Sequence, residues 1–288
     1  MVKSLAKPKQ LKTSKHVGPS VGLALGGGGA RGLAHIGALK ILSQTGIKIS
    51  YIAGTSIGAI IGAWLALGQP FDKLEELCLT FDRSKAWRQF VDIGNPRYSF
   101  LAGQKIKKFV NQLFGRKQFT DCQIPLAIVA TDLANGQEVI LRQGSIAQAV
   151  LASIAIPGLL PPVKLNRRYL IDGGSINITP ASVVAQLGAQ IIIAMDLSVQ
   201  PSAHFQTKPT LFTTLVQAYT IIREQSVKYQ LAKIKSDRQR LIIVRPVFDD
   251  IIDTFQFDQT AKFIKLGEEA MRRRLPAVRQ ALAKLGKI

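Results

Sequence analysis

Short, strongly apolar runs separated by helical patterns constrain this chain more than any other feature. "VGLAL" (21–25), "ISYIAG" (49–54), "PLAIVATDL" (125–133) and "AQIIIAMDL" (189–197) are too uniformly apolar for strands with a wet face. They read as strands buried on both sides. "EVILRQG" (138–144), "RRYLIDGG" (167–174) and "RLIIVRPV" (240–247) are further strand candidates. Between them lie helical stretches: "LAHIGALKIL", "IGAIIGAWLALG" (57–68), a polar and aromatic region over 71–118, "SIAQAVLASIA" stopped by Pro157, and "PASVVAQLG". Buried strands alternating with helices predict an α/β chain with a mainly parallel sheet covered on both faces. In such sheets, sites form beyond the carboxyl ends of the strands.

The first such end carries "LGGGGARG" (25–32). Gly27, Gly29 and Gly32 fit the dinucleotide pattern G-x-G-x-x-G, which also requires an acid about 20 residues on. No Asp or Glu occurs from Gly26 to Phe71, so a nicotinamide or flavin is not expected. A phosphate-cradling loop of the G-K-[ST] kind is absent too, because "RGLAH" supplies neither Lys nor Ser/Thr. A tight turn alone needs only one glycine. The remaining reading is an oxyanion site, in which bare backbone brings N–H groups to a reacting oxygen, the following helix N-terminus adds partial positive charge, and Arg31 adds a full one.

An oxyanion site needs a nucleophile. "GTSIG" (54–58) places Ser56 between a strand and a helix, the context of a nucleophile elbow. An N-cap serine on an ordinary helix is the simpler alternative. A serine hydroxyl needs a base. The chain has three histidines, His16, His35 and His204. His35 lies on the helix after the glycines and reads as packing or support. His204 follows a strand in a polar loop, and the order Ser56, Asp172 or Asp196, His204 suits a triad. The other candidate is a carboxylate: "IDGG" sets Asp172 at a strand end before two glycines, where it is either a base or a turn former and cap. A poorly solvated carboxylate gains basicity. Spacing alone leaves these alternatives open.

"GGGARG", "GTSIG" and "DGG", in that order, resemble the patatin-like phospholipases, most closely the bacterial proteins related to neuropathy target esterase. "PLAIVATDLANGQ", "AVLASIAIPGLLPPV", "YLIDGGSINITPASVVAQLGAQIIIAMDLS" and "FIKLGEEA" extend the likeness over roughly 18–275. The resemblance implies a three-layer α/β/α fold and a Ser–Asp dyad hydrolysing acyl esters of phospholipids or lysophospholipids. By position, Ser56 is the nucleophile and Asp172 the base, while Gly28 and Gly29, with Gly27 as a third candidate, form the oxyanion hole. Arg31 orients the loop or the substrate by meeting a lipid phosphate. Neither metal nor cofactor is implied. The other readings are a Ser-His-Asp esterase and a lipid-binding regulator with little turnover.

The net charge of +20 concerns partners rather than fold. Residues 1–17 read as a basic, disordered tail rather than a signal peptide, since no apolar core follows its lysines. Residues 18–288 read as one catalytic domain. Nucleic acid is not expected, for want of a helix-turn-helix, zinc or RNA-binding signature. An anionic membrane surface is. The segment "KIKKFVNQLFG" (105–115) sets Ile106, Phe109, Val110, Leu113 and Phe114 on one face beside Lys105, Lys107 and Lys108, and reads either as a bilayer-surface helix or as an ordinary core helix. "MRRRLP" (271–276) adds cations. No apolar run is long enough to span a bilayer. Cys78 and Cys122 have neither metal nor disulfide spacing and fit a reducing cytosol.

Overall fold

The computed structural model of the chain describes residues 19–79, 92, 94, 99–198, 210–234, 239–248 and 259–286. The strands are β1 (Val21–Leu25), β2 (Ile49–Thr55), β3 (Leu126–Asp132), β4 (Glu138–Leu141), β5 (Val163–Leu165), β6 (Arg168–Asp172), β7 (Ile191–Met195) and β8 (Arg240–Val244). The helices are α1 (Ala34–Ser43), α2 (Ile57–Ala66), α3 (Phe71–Leu79), α4 (Gln104–Phe114), α5 (Ile146–Ser153), α6 (Ala181–Gln186), α7 (Leu211–Lys233) and α8 (Thr260–Leu285).

All eight strands join one sheet, hydrogen-bonded in the order β5-β6-β3-β2-β1-β7-β8, with β4 also on β3. The pairs β1–β2, β1–β7, β2–β3 and β7–β8 are parallel, and β3–β4, β3–β6 and β5–β6 are antiparallel. Helices cover both faces, giving three layers. Alternation along the strands sorts side chains by size. Leu23, Leu25, Ile52, Ile128, Ile193 and Met195 face the core shared with α1, α2, α5 and α8. Ala24, Ala53, Ala127 and Ala194 face the other layer, where small side chains admit Val183 and Val184 of α6 and Val227 of α7. The fully buried strands are the uniformly apolar runs expected of sheet centres.

One detail of register positions the site. Val129 of β3 pairs with Thr55 and with Ile140, and its neighbour Ala130 pairs with Asp172 and with Val139. Since β4 supplies Ile140 and Val139 in succession, Thr55 and Asp172 share the opposite edge of β3. There β2, running one way, and β6, running the other, meet end to end.

Several expectations change in detail. Helix α5 ends at Ser153, four residues before Pro157, and β5 is an additional short strand. The apolar side of α4 is not a bilayer face: Val110 and Phe114 are core residues, Ile106 and Leu113 pack against that core, and only the lysine side is open to water. Arg272, Arg273 and Arg274 are exposed on α8. No helix among the described residues is long and apolar enough to cross a membrane. The basic tail, His16 and His204 lie outside the described residues.

Candidate active site

Strand β2 delivers Ser56 to a sharp turn before α2. Ser56 has φ 55° and ψ −125°, a region that costs a non-glycine residue of order 1–3 kcal/mol and persists only where the surroundings enforce it. The neighbours do so through close approach. A Cβ on Gly58 would lie 2.0 Å from the Leu25 carbonyl oxygen, so α2 can start here only with glycine at that position. The Ser56 N–H donates to Ser153 Oγ at 2.9 Å, and Ser153 Oγ donates to Val129 O at 2.6 Å.

Although Ser56 occupies the N-cap position of α2, its side chain makes no cap hydrogen bond. The Ser145 hydroxyl, by contrast, accepts from the Gln148 N–H at the start of α5. The Ser56 hydroxyl turns instead to the end of β6, where Ser56 Oγ donates to Asp172 Oδ2 at 2.7 Å. The other carboxylate oxygen, Oδ1, accepts from the Gly174 N–H at 2.6 Å. Asp172 is therefore both a turn cap and the serine's partner. Its backbone is held by Asp172 N–H to Ala155 O and by Thr131 Oγ1 to Asp172 O. Ser56 is 7% exposed and Asp172 3%. A hydrogen-bonded hydroxyl and carboxylate so enclosed can exchange a proton with little competition from water.

The glycine loop lies against this pair. A Cβ on Gly27 would stand 3.0 Å from Ser56 Cβ and 2.5 Å from Ile178 Cδ1. The Gly26 N–H donates to Met195 O and the Gly27 N–H to Ile178 O, which fixes the loop by its first two amides. The N–H groups of Gly28 and Gly29 have no hydrogen-bond partner among the described residues. They stand at the entry to the helical turn Gly29–Leu33, whose N-terminal end carries partial positive charge.

Arg31 is fully buried. Its Nε approaches Gly28 O at 3.4 Å and its guanidinium lies 5.6 Å from the centroid of the Phe248 ring. Of the two roles the sequence suggests for it, these contacts favour holding the loop. His35 is also fully buried. Its Nε2–H donates to Gly26 O at 2.7 Å, and burial lowers its pKa to about 4. It is thus a neutral tie beneath the loop and is not beside Ser56 Oγ.

Asp196, the other acid considered, sits just past β7. Its Oδ2 accepts from Arg245 Nε at 2.9 Å, and its Oδ1 from the Ser198 N–H at 3.0 Å. Leu197 next to it packs on Gly28. Ser153 is the contributor that the sequence reading missed. Its signal was a lone hydroxyl in the apolar run "AVLASIAIPG". Burial pushes the Cys78 thiol up to about 12 and Cys122 up to about 11, so neither thiol is activated as a nucleophile. No cluster of metal-ligating side chains occurs among the described residues.

The family model for patatin-like phospholipases matches residues 23–185, the span that holds the glycine loop, Arg31, His35, Ser56, Ser153 and Asp172. An NTE family protein of Mycobacterium tuberculosis (strain ATCC 25618 / H37Rv) is 36% identical over 194 residues, covering 66% of this chain and 52% of that protein. A protein of Pyricularia oryzae named lysophospholipase NTE1 is 36% identical over 182 residues, covering 62% of this chain and 12% of the fungal one. The chain thus spans about half of the first and about an eighth of the second. Among solved structures, VipD from Legionella pneumophila superposes with a TM-score of 0.51 over 95% of this chain and 72% of VipD at 14% identity, a likeness of fold.

Proposed function

The chain belongs to the patatin-like phospholipase family, and from that premise we propose that it hydrolyses acyl esters of phospholipids or lysophospholipids, with Ser56 as nucleophile and Asp172 as base. The observation that carries this reading is the 2.7 Å hydrogen bond from Ser56 Oγ to Asp172 Oδ2 at the apex of a strained strand-to-helix turn. A contact that short leaves no room for an imidazole between the two, which favours a dyad over a Ser-His-Asp triad. The engagement of Asp196 with Arg245 points the same way. The name of the fungal relative supports lysophospholipids as substrates.

In this mechanism Ser56 Oγ attacks the ester carbonyl carbon while its proton passes to Asp172 Oδ2. The carbonyl oxygen becomes an oxyanion, stabilised by the N–H groups of Gly28 and Gly29. One such donor is worth about 10²–10³-fold in rate. Gly27 shapes the turn, since its own N–H is engaged by Ile178 O. Collapse of the tetrahedral species breaks the ester C–O bond, and the leaving alkoxide takes the proton from Asp172. Water then attacks the acyl-serine, giving its proton to Asp172. Collapse returns that proton to Ser56 Oγ and frees the fatty acid. Arg31 acts through the loop, holding the Gly28 carbonyl so that the neighbouring amides point at the oxyanion. The step calls for no metal or cofactor. The cationic surface brings the protein to anionic membrane, where such substrates reside.

The test is hydrolysis of a short-chain p-nitrophenyl ester and of a lysophospholipid, both in the presence of a chelator. Ser56→Ala, Asp172→Asn and the double variant should each lose about 10³-fold or more, the double being no worse than the singles because the two act as one unit. His204→Ala should keep most activity. A folded, inactive His204→Ala beside an active Asp172→Asn would sink the dyad. Calcium-dependent turnover would sink the metal-free mechanism.

A further inference from the structure

The register that brings Ser56 to Asp172 also carries β3 past the site. Thr55 lies opposite Val129, and β3 runs on to Asp132, with Leu133 the first residue of the turn that follows. At about 3.3 Å per residue, Leu133 stands roughly 10 Å beyond the level of Ser56 and Asp172, at the end of the sheet where the site lies. Strand β6 returns from the same height. The Leu133 N–H donates to Tyr169 O, and β5 and β6 form a two-residue hairpin beside them. Leu133 is 51% exposed and Tyr169 53%, so a leucine and a tyrosine stand side by side in water beyond the end of the sheet that carries the site.

Cations flank them, Lys164 on their own face of the hairpin and Arg168 on the other. Lys164 Nζ lies 5.7 Å from the centroid of the Tyr169 ring, Arg168 faces Asp132 at 3.7 Å, and Arg167 has no partner among the described residues. The acid at hand, Asp132, is buried, and its other oxygen accepts from the Ala134 N–H. The hairpin tip is itself unusual. Asn166 and Arg167 have φ values of 48° and 65°. Two-residue hairpins favour positive φ at both positions, and asparagine followed by glycine is the favoured pair. Here an arginine holds the position that glycine would occupy without strain. Such an outlier points to function.

We infer that this rim, formed by Leu133, Tyr169, Lys164, Arg167 and Arg168, is the surface that docks the protein on an anionic lipid bilayer with the site facing the membrane. The inference rests on the lipid-directed reading above. Tyrosine and leucine suit the headgroup level, where one end of a side chain is apolar and the other wet. Cations beside them suit lipid phosphates and anionic headgroups. The apolar pair distinguishes this surface from one made for nucleic acid, which would need cations and stacking platforms along a groove.

The experiment is co-sedimentation of the full chain with vesicles of phosphatidylcholine containing about a third phosphatidylserine, set beside its rate on a short-chain p-nitrophenyl ester. Replacing Leu133 and Tyr169 together by serine should weaken vesicle binding about tenfold or more and leave the soluble-ester rate within about twofold, because neither side chain touches the dyad. Arg167→Gly should weaken binding by about fivefold, one cation's contribution, while raising Tm by a few degrees through relief of the positive φ. Unchanged vesicle binding in both variants overturns the inference, most sharply if Lys105→Glu, Lys107→Glu and Lys108→Glu on α4 abolish it. An equal loss of soluble-ester activity in the serine variant also overturns it, by making the rim part of the site's framework. Tighter, hairpin-dependent binding to a duplex oligonucleotide than to vesicles would reassign the surface to nucleic acid. If the wild type binds vesicles through the rim but hydrolyses no ester, the surface stands and the proposed function falls.

Discussion

Asp172 and Asp196 are both buried, each closes or follows a strand beside the glycine loop, and each accepts an N–H from two residues further on. They differ in what meets the second oxygen. For Asp172 it is the Ser56 hydroxyl. For Asp196 it is the Arg245 guanidinium, which fastens the end of β7 to the segment after β8. A carboxylate facing a hydroxyl can take its proton. One clasped by a guanidinium faces a group that keeps its protons at every working pH. Burial and strand-end position, which the two share, therefore do not by themselves suit a carboxylate to take a proton; the partner decides it. The pair also divides the neighbourhood, with Asp172 on the side of Ser56 and Asp196, through Leu197 and Met195, on the side of the glycine loop.

The largest effect comes from making the same substitution at both positions. Asp172→Asn should lower soluble-ester turnover by about 10³-fold or more with little change in Tm, since asparagine keeps the shape and an acceptor for the Gly174 N–H. Asp196→Asn should keep turnover within about tenfold at low temperature and lose about 1–3 kcal/mol in urea unfolding. That is less than a fully buried pair would lose, because Arg245 is partly open to water. A stable but inactive Asp196→Asn beside an active Asp172→Asn would reverse the comparison.

Much of this was legible in the sequence, for a physical reason. The strands that form the sheet's centre are buried on both faces, so apolar runs mark them without ambiguity. The strand-end motifs stand where a parallel sheet must place them. Other features depend on distant partners. That Ser56 and Asp172 meet follows from β2 and β6 sharing one edge of β3, a pairing across 116 positions that no local pattern encodes. Strand β5 is three residues long and half-buried, too short for periodicity. The sequence left α4 open between a bilayer and a core, because an amphipathic face looks the same whether it meets one or the other. In the sequence Arg31 reads as a cation for the oxyanion or a lipid phosphate, and only the fold reveals Phe248 beneath it.

His35 sharpens the comparison from the loop's side, because the Gly26 it supports also donates its N–H to Met195 O, next to Asp196. Its pKa is lowered from the usual 6.5 to about 4 by burial. Below pH 6.5 the unfolded chain binds a proton there that the folded chain refuses. Its contribution to stability is thus intact above pH 6.5 and falls by about 1.4 kcal/mol per unit, to a loss of about 3 kcal/mol near pH 4. His35→Gln keeps a donor for Gly26 O without the titration. Urea unfolding from pH 7 to pH 4 should show a shallower decline for the variant than for the wild type. Parallel declines would mean that His35 does not titrate across this window.

The smallest expected effect lies on the side of Ser56. Ser153 has one hydroxyl proton, and Val129 O takes it at 2.6 Å. The hydroxyl's lone pairs are thereby turned toward the Ser56 N–H, 2.9 Å away. That bond pins the residue whose positive φ aims the hydroxyl at Asp172. Ser153→Ala leaves a buried donor and a buried acceptor unmet, and relaxing the turn is one way to satisfy them. The expected result is a fall in kcat of about tenfold with KM little changed, since the hydroxyl is misaimed while lipid contacts stay in place. Ser153→Thr, which keeps the hydroxyl, should recover most of the loss. Ser198→Ala removes a comparable hydroxyl beside Asp196 and should leave kcat near wild type. If Ser153→Ala lowers Tm but not kcat, the strained turn holds without its tether, and the Ser56 side of the comparison is set by Asp172 and Gly58 alone.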